Sequence, residues 1–185
     1  MDLTGRTDEE LAVESCREDS DGPAFRCLLD RYQQKVWQIC YRLMGNAEDA
    51  SDAAQEVFIR LFLHRERYQG KSKYSTWVHG VALRTCLSLR RARGRRQRRV
   101  ATAVITPEMA TETAKNDQSA VNIDLAQMLE SLSEEDRAML IFKHAEGYSY
   151  EELSDVFHLS VSACKMRVSR AREKLKQRFP RELAD

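Results

Sequence analysis

The stretch YSYEELSDVFHLSVSACKMRVSRAREKLKQRF, residues 148–179, decides the fold of the last third of the chain. Its pattern predicts a short helix, a tight turn at residues 158–160 and a longer helix. Ser149 with Glu152 three residues later is a capping box for the first helix, and Ser160 is the expected N-cap of the second. Two capped helices around so short a turn are typical of a helix-turn-helix.

The second of these helices separates apolar and basic residues onto different faces. An apolar stripe with spacings of three and four should pack on the preceding helices; it consists of Val161, Cys164, Val168, Ala171 and Leu175. The remaining faces carry small residues first and basic residues later, which suits a helix that enters the major groove and donates to base edges and phosphates. A solvated basic helix in an ordinary bundle is the alternative. The caps, the turn and the basic face together favour DNA binding, through Ser162, Ala163, Lys165, Met166, Arg167, Ser169, Arg170 and Arg172.

The composition favours helices in the rest of the chain as well. Its 185 residues include only seven Gly and three Pro, and 42% are hydrophobic, which is enough for real cores. No window carries eighteen consecutive apolar residues or a signal-peptide pattern. We therefore expect a soluble, cytoplasmic protein that does not insert into membranes.

Four helical segments are predicted in the first hundred residues. The first has Thr7 and Glu10 as a capping box, the second ends at Gly45, the third ends near Gly70, and the fourth has Ser75 or Thr76 as its N-cap. Residues 101–122 break this pattern, because they lack aromatic residues and contain several threonines and a proline. Helical patterns then resume, and the segment LSEEDRAMLIFKHAEG has Ser133 as N-cap and Gly147 as its stop. The prediction is an all-α fold: small helical domains at residues 1–100 and 123–185, joined by a flexible linker at 101–122.

The charge is strongly segregated, although the net charge is only +1. Residues 71–100 carry ten Lys or Arg and no acid, including seven arginines between positions 90 and 99; residues 161–178 are basic again. Two basic blocks around an acidic one indicate two separate contacts with a polyanion. Tyr74 and Trp77 stand at the entrance of the first block. They could stack on unpaired bases or belong to the core, and for Trp77 the core reading is at least as strong.

A second polar surface is predicted on the third helix. The segment DASDAAQEVFIRLF, residues 49–62, presents Asp49, Asp52, Gln55 and Glu56 opposite its apolar stripe. From spacing alone this face is either a solvated acidic surface or a contact for a partner.

Metal and cofactor sites receive no support from the sequence. The five cysteines include no CxxC pair, and the four histidines form no ligand-spaced pair. We assign no metal, no cofactor and no enzymatic role, and expect reduced, mostly buried thiols.

These segments together resemble the extracytoplasmic-function (ECF) group of bacterial sigma factors, in the sigma-70 family. Residues 49–62 are similar to the D-A-x-D-x-x-Q-E-x-F segment of region 2, and YSTWVHGVALRTCLSLRR, residues 74–91, to its aromatic-x-x-W-x-x-x-(I/V)-A helix. Residues 132–176 are similar to region 4, with E-G-x-S-Y-x-E-(I/L) at the start and K-x-R-(V/L)-x-R-A-R at the end. The resemblance covers most of the chain.

The resemblance implies a transcription initiation factor. Region 2 would bind the clamp helices of the polymerase β′ subunit through Asp49, Asp52, Gln55 and Glu56, and region 4 would bind the β flap and read the −35 element through the residues of the last helix given above. The −10 element would be opened and held by Lys71, Lys73, Tyr74, Trp77, Arg84, Arg90 and Arg91. Residues 93–99 would lead into the linker and follow phosphates. An anti-sigma factor is a further expected partner.

The chain departs from the family pattern at a few positions. Thr85 stands where Asn is usual, Ser88 where Asp is usual, Ser162-Ala163 where Gly-Thr is usual, and Met166 where Ser is usual. These differences leave the class unchanged and indicate a divergent promoter, above all a divergent −35 preference.

Two other interpretations remain open at the level of sequence. The first is a helix-turn-helix transcriptional regulator whose amino-terminal helices sense a ligand or dimerise. The second is a helical scaffold without a DNA role. Binding to core polymerase separates both from a sigma factor, because only a sigma factor requires that contact.

Overall fold

The computed structural model describes residue 3, residues 5–18, 22–103, 125 and 127–180; the side chains of residues 97–103 are not among the described ones. All regular structure in this part of the chain is helical, which confirms the predicted all-α class. Most of the predicted linker lies outside the described residues.

The amino-terminal bundle is built from four helices. They are α1 (Asp8–Ser15), α2 (Pro23–Met44), α3 (Ala47–Leu63) and α4 (Tyr74–Ala103), and a 3₁₀ turn (Arg65–Arg67) follows α3. Helix α2 packs on each of the other three, so it is the central helix of the bundle.

Local signals at the ends of α1, α2 and α3 match the sequence. Thr7 and Glu10 form the predicted capping box, with both backbone-to-side-chain bonds present. Gly45 ends α2 with a φ of 87°, a left-handed conformation that glycine adopts without a steric penalty. The Asn46 side chain accepts from the amide of Asp49 at 2.9 Å, so α3 begins immediately after the turn.

The predicted cap of α4 is wrong. The helix begins at Tyr74, and its amide donates to the Glu9 carboxylate of α1 at 3.0 Å, while Thr76 lies buried within the first turn. The Glu9 carboxylate of α1 therefore caps the start of α4, the role that the sequence predicted for Ser75 or Thr76. The far end is also different, since α4 continues to residue 103 and includes the arginines of residues 93–99, which were expected to lead into the linker.

The core of the bundle follows the predicted helical spacing. Its fully buried side chains come from the apolar stripes of α1 to α4; they include Leu11, Leu28, Val36, Ile39, Cys40, Ala50, Val57, Leu61, Val78, Leu83 and Cys86. Close packing of this kind fixes which faces of α2, α3 and α4 remain available to partners.

The described part of the carboxy-terminal domain includes a helical turn at residues 127–130. It continues with α5 (Glu134–Leu140), a π-helical segment (Ile141–Ala145), α6 (Tyr150–Phe157) and α7 (Val161–Arg178). Helices α6 and α7 pack against each other, and α7 also packs on α5.

The predicted caps of this domain are present. The Ser133 side chain accepts from the third amide of α5, Ser149 and Glu152 form a capping box on α6, and Ser160 caps α7. His158 adopts a φ of 54°, so the turn between α6 and α7 passes through a left-handed residue. The helix-turn-helix geometry therefore follows the local sequence.

The two domains pack against each other. Helix α4 contacts both α5 and α6, and the buried apolar side chains of the two domains form one continuous cluster. None of the described helices is long and apolar enough to cross a membrane.

Candidate functional site

Helix α7 buries its apolar stripe and presents its polar faces to solvent. Cys164, Val168, Ala171 and Leu175 are at most 7% exposed. Most of the residues predicted to contact DNA are exposed: Ser162, Lys165, Met166, Ser169, Arg170 and Arg172. Ala163 and Arg167 are half-buried. Small residues at the start of the helix and basic residues further along fit a recognition helix.

Arg167 differs from its neighbours because its guanidinium is paired with acids of α5. Its Nε donates to Asp136 of α5 at 2.7 Å, and a second guanidinium nitrogen lies 3.7 Å from Glu135. Asp136 is 9% exposed and also lies 3.6 Å from the Lys174 ammonium. The guanidinium therefore joins α7 to α5 and does not point freely into solvent.

Tyr150 is a residue that the sequence interpretation missed. The Lys143 ammonium lies 4.5 Å from the centre of its ring, and the Lys165 ammonium lies 5.6 Å from it. Tyr150 also lines a surface cleft together with Ser169 and Arg172. Lys143, Tyr150 and Lys165 belong to three separate elements, so their spacing in sequence gave no signal of this cluster.

The predicted polar face of α3 is present but unevenly available. Asp52 and Gln55 are exposed. Glu56 pairs with Arg60 at 2.6 Å, and Asp49 accepts from Asn46 at 2.6 Å and from Arg93 of α4. The negative charges of Glu56 and Asp49 are thus paired with arginines, and Asp52 and Gln55 are the most accessible residues of the face.

An apolar groove lies beside this face, between α2 and α3. It has a volume of about 530 Å³ and is lined by Leu29, Gln33, Gln34, Trp37, Ser51, Ala54, Gln55 and Phe58. Trp37 is 37% exposed, stacks on Tyr41 at 5.2 Å, and donates from Nε1 to Ser51 Oγ at 3.2 Å. Trp37 is not among the candidate residues predicted from the sequence, because an aromatic residue at helical spacing fits a core stripe equally well.

The loop that precedes α4 presents its two lysines to solvent. Lys71 and Lys73 are exposed, and the turn passes through Gly70 at a φ of 67°. The Tyr68 hydroxyl donates to the Ser72 carbonyl at 2.8 Å, which holds the loop against the bundle.

The aromatic residues at the start of α4 form a cluster with the bundle. Tyr74 is 3% exposed, and its ring meets those of Tyr32 at 5.7 Å and Tyr68 at 5.1 Å. Trp77 is half-buried and lies 5.5 Å from Tyr74. Tyr74 is therefore a core residue in this conformation, whereas one side of Trp77 reaches the surface. Burial raises the pKa of the Tyr74 hydroxyl, which stays neutral.

The three arginines of α4 predicted to meet DNA face the carboxy-terminal domain. Arg90 pairs with Glu134 and also donates to the Leu43 carbonyl at 2.8 Å. Arg91 pairs with Glu135, and the Arg84 guanidinium lies 3.2 Å from the His158 ring nitrogen.

A buried polar cluster joins the two domains nearby. His79 of α4 is hydrogen-bonded to the Tyr148 hydroxyl, and Glu146 is paired with Lys35 and Arg42 of α2. Burial, reinforced by the positive charge of Lys35, lowers the pKa of His79 to about 4. His79 is consequently neutral near pH 7.

The departures from the family pattern fall in different environments. Thr85 is fully buried, so its difference lies in the core. Ser88, Ser162 and Met166 are exposed. Met166 is 54% exposed at the middle of the polar face of α7, which is where a change alters what that face can contact.

Comparisons with family models cover both domains. Residues 28–96 match sigma-70 region 2, and residues 123–175 match sigma-70 region 4. Together they account for most of the chain and lie in the order that the sequence resemblance predicted.

Curated relatives align over nearly the whole chain. The RNA polymerase sigma-H factor of Pseudomonas aeruginosa is 30% identical, with 92% of this chain and 93% of the relative covered. The ECF RNA polymerase sigma factor SigW of Bacillus subtilis is 26% identical over 86% of this chain and 90% of its own length. The ECF RNA polymerase sigma-E factor of Escherichia coli is 28% identical, over 89% and 91%.

Solved structures show the same fold. CnrH, in complex with the cytosolic domain of CnrY, superimposes with a TM-score of 0.65 at 20% identity, covering 94% of this chain and 97% of that one. The sigma factor RpoE, in complex with the anti-sigma factor NepR from Bartonella quintana, gives a TM-score of 0.62 at 23% identity, covering 83% and 94%.

Proposed function

The chain belongs to the ECF sigma factors of the sigma-70 family, and from this premise we propose that it binds core RNA polymerase and directs it to a specific set of promoters. The observation that carries the proposal is the pairing, in one chain, of a region 2 bundle with a region 4 domain whose recognition helix faces solvent. A helix-turn-helix regulator with an amino-terminal sensing domain does not account for the region 2 match.

Core polymerase is bound by the polar face of α3 and the neighbouring groove. The family resemblance assigns Asp49, Asp52, Gln55 and Glu56 to the β′ clamp helices. Gln55 lies both on this face and in the groove, so the apolar surface around Trp37 continues it. A partly exposed tryptophan beside exposed polar groups is the usual composition of an interface hot spot.

The −35 element is read by α7. Ser162 and Ala163 are small enough to let the start of the helix approach base edges, and Lys165, Met166, Ser169 and Arg170 follow on the exposed face. Arg172 and the lysines around Tyr150 suit phosphate contacts, which supply affinity without reading sequence. Arg167 contributes by fixing the angle between α7 and α5.

The −10 element is opened at the start of α4. Lys71 and Lys73 attract the phosphate backbone, and the accessible side of Trp77 offers a surface for an unpaired base. Tyr74 supports Trp77 from within the core. Arg84, Arg90 and Arg91 contact the DNA backbone after their contacts with the carboxy-terminal domain are released. Strand opening is driven by binding energy, because it requires no covalent step.

Two further parts of the proposal come from the family. An anti-sigma factor is expected to control the chain, as the RpoE relative is described in complex with one. The site of action is the compartment that contains RNA polymerase, the cytoplasm.

Co-purification with core polymerase tests the proposal. We expect the native chain to retain core polymerase, and Trp37→Ala to lower the affinity by about tenfold or more, in the range of an aromatic hot spot. Val13→Ala is the matched control, because Val13 is 55% exposed but lies on α1, away from the groove. Failure of the native chain to bind core polymerase would overturn the proposed function. Equal losses of affinity in the two variants would show that the groove does not contribute to polymerase binding.

A further inference from the structure

Met166 is the only exposed large apolar side chain of α7, a helix that the structure describes in full. It is 54% exposed and does not belong to the apolar cluster of the core. Cys164 and Val168, on either side of it in sequence, are at most 3% exposed. The free energy available from covering an apolar side chain is therefore not gained within the folded chain at Met166, so it is available to a partner.

Helix α7 places Met166 opposite its buried stripe. Successive residues of an α-helix are rotated by about 100°, so Met166 lies about 180° from the centre of the stripe that runs from Val161 to Leu175. The side chains one turn away on the same face include the short Ser162, Ala163 and Ser169, so the thioether projects beyond them. Met166 is the sixth residue of the helix, about 8 Å from its start, in the part of a recognition helix that contacts base edges.

Cations lie on both flanks of this face. On one flank, the Lys165 ammonium lies 5.6 Å from the centre of the Tyr150 ring, and Arg172 lines the same cleft. On the other flank, Arg167 donates to Asp136 at 2.7 Å. In a major groove about 12 Å wide, the flanks of a helix face the phosphates and the side opposite its buried stripe faces the bases. Met166 therefore faces the base edges.

The chemistry of the thioether restricts which base it can face favourably. In the major groove the base edges carry hydrogen-bonding groups, together with one apolar group, the C5 methyl of thymine. A thioether donates no hydrogen bond and accepts only weakly. Against guanine it would withdraw two acceptors from water without replacing their hydrogen bonds. Against thymine it covers a methyl group with a polarisable side chain that adapts its shape to the contact.

We propose that Met166 is a specificity-determining residue, which selects a thymine in the −35 element through contact with its C5 methyl group. The inference rests on the proposed function, because it takes α7 to be the helix that reads this element. It adds the identity of a base and the group on that base that is recognised. The serine that is usual at this position in the family bonds to any base through its hydroxyl, so it lacks this selectivity.

The expected size of the effect follows from a single methyl group. Uracil has the same hydrogen-bonding groups as thymine and lacks only the C5 methyl. Loss of one buried methyl group corresponds to a rise of about fourfold in Kd. Because Met166 is exposed, replacing it should leave the Tm of the chain unchanged, so a change in DNA binding is not caused by unfolding.

Replacing thymine by uracil in the promoter tests the assignment with the full chain bound to core polymerase. The native complex first selects its −35 element from randomised duplexes, and each thymine on either strand is then replaced in turn by uracil. We expect one replacement to weaken the native complex about fourfold. Met166→Ser should bind the thymine and uracil promoters equally, whereas Met166→Leu, which keeps an apolar side chain, should retain the preference. Gln177→Ala is the control, an exposed residue of α7 three turns further along, and should behave like the native chain.

The possible failures separate this assignment from the proposed function. A selected −35 element without thymine, or a native complex that is insensitive to uracil at every position, would overturn the role of Met166 and leave the proposed function in place. A uracil effect of equal size in Met166→Ser would also overturn it, because another residue would then contact the methyl group. A native complex that selects no promoter at all would instead contradict the proposed function, and the assignment with it.

Discussion

Replacing Arg167 by Met separates a structural arginine from the DNA-facing arginines beside it. Arg167 and Arg170 are neighbours on α7, and the sequence gives both the same role. The structure distinguishes them, because Arg167 donates to buried Asp136 at 2.7 Å whereas Arg170 is exposed. Met keeps most of the aliphatic stem, so Arg167→Met removes chiefly the charge and its hydrogen bonds.

The magnitude follows from the bond that is lost. A hydrogen bond to a charged group contributes about 1.5–3 kcal/mol. The partial exposure of the Arg167 guanidinium reduces this, and the exposed Lys174 ammonium at 3.6 Å replaces only a few tenths of a kcal/mol. We expect the free energy of unfolding of the domain to fall by about 2 kcal/mol, which is roughly 10 °C in Tm for a domain of this size.

The loss should also depend on pH. Burial would raise the pKa of Asp136, but the hydrogen bonds from Arg167 and Ser133, together with the charges of Arg167 and Lys174, outweigh it and hold the pKa below its ordinary value of 3.8. A carboxyl with a lowered folded-state pKa contributes its stability above the unfolded-state pKa and loses it as the pH falls through the folded-state pKa. The difference between native and Arg167→Met should therefore be constant above about pH 5 and shrink in stronger acid.

Thermal unfolding followed by circular dichroism at 222 nm measures this difference, with Arg170→Met as the matched control. Arg170→Met should unfold like the native chain and bind promoter DNA more weakly. Equal stability of Arg167→Met and Arg170→Met would refute a stabilising contact of Arg167 with α5. A difference that persists unchanged at pH 2 would refute the role of the Asp136 carboxylate.

Three further predictions concern other parts of the molecule. Glu9→Ala should destabilise the amino-terminal bundle by about 1 kcal/mol in urea unfolding, because the first amide of α4 loses its acceptor, and an unchanged midpoint would contradict this. His79 faces Lys35, Tyr148 and Glu152 between the two domains, and burial lowers its pKa to about 4, against about 6.5 when exposed. Protonation therefore favours exposure of the ring, so the contact between the domains should weaken and the radius of gyration from small-angle X-ray scattering should rise as the pH falls from 6.5 towards 4; a constant radius of gyration would argue against it. A thiol reagent should modify only the two partly exposed cysteines of the native chain and all five after denaturation, whereas fast reaction of a third would contradict the burial of Cys40, Cys86 and Cys164.

The helices were predictable wherever their ends depend on neighbouring residues. Thr7 with Glu10, Ser149 with Glu152, and Ser160 each satisfy backbone amides a few positions away, so the sequence contains the whole interaction. The apolar stripe of α7 was predictable for the same reason, because helical spacing determines which residues share a face.

Features that depend on contacts between distant residues were not predictable. Glu9 caps α4 from a position 65 residues before the amide that it accepts from. Arg93 contacts Asp49, which lies 44 residues earlier in the chain. The same holds for the contact between Glu146 and α2, which depends on how the two domains pack. Spacing identified the faces of each helix but gave no information about which faces meet.

The candidate site shows the same division. The polar residues of α7 other than Arg167 are exposed as the sequence indicated, whereas Tyr74 is buried and Trp37 lies at the surface. Aromatic residues fit both a core stripe and a partner surface by spacing alone, so only the packing of the bundle separates these roles.

The most direct test of the central claim is strand opening at a promoter by core polymerase together with this chain. Permanganate oxidises unpaired thymines, and on a promoter selected by the reconstituted complex we predict reactive thymines at the −10 element only when both chain and core polymerase are present. The −35 element should stay paired and become protected from cleavage. Opening of the −10 element by the chain without core polymerase, or a complex that leaves the −10 element paired, would contradict the account.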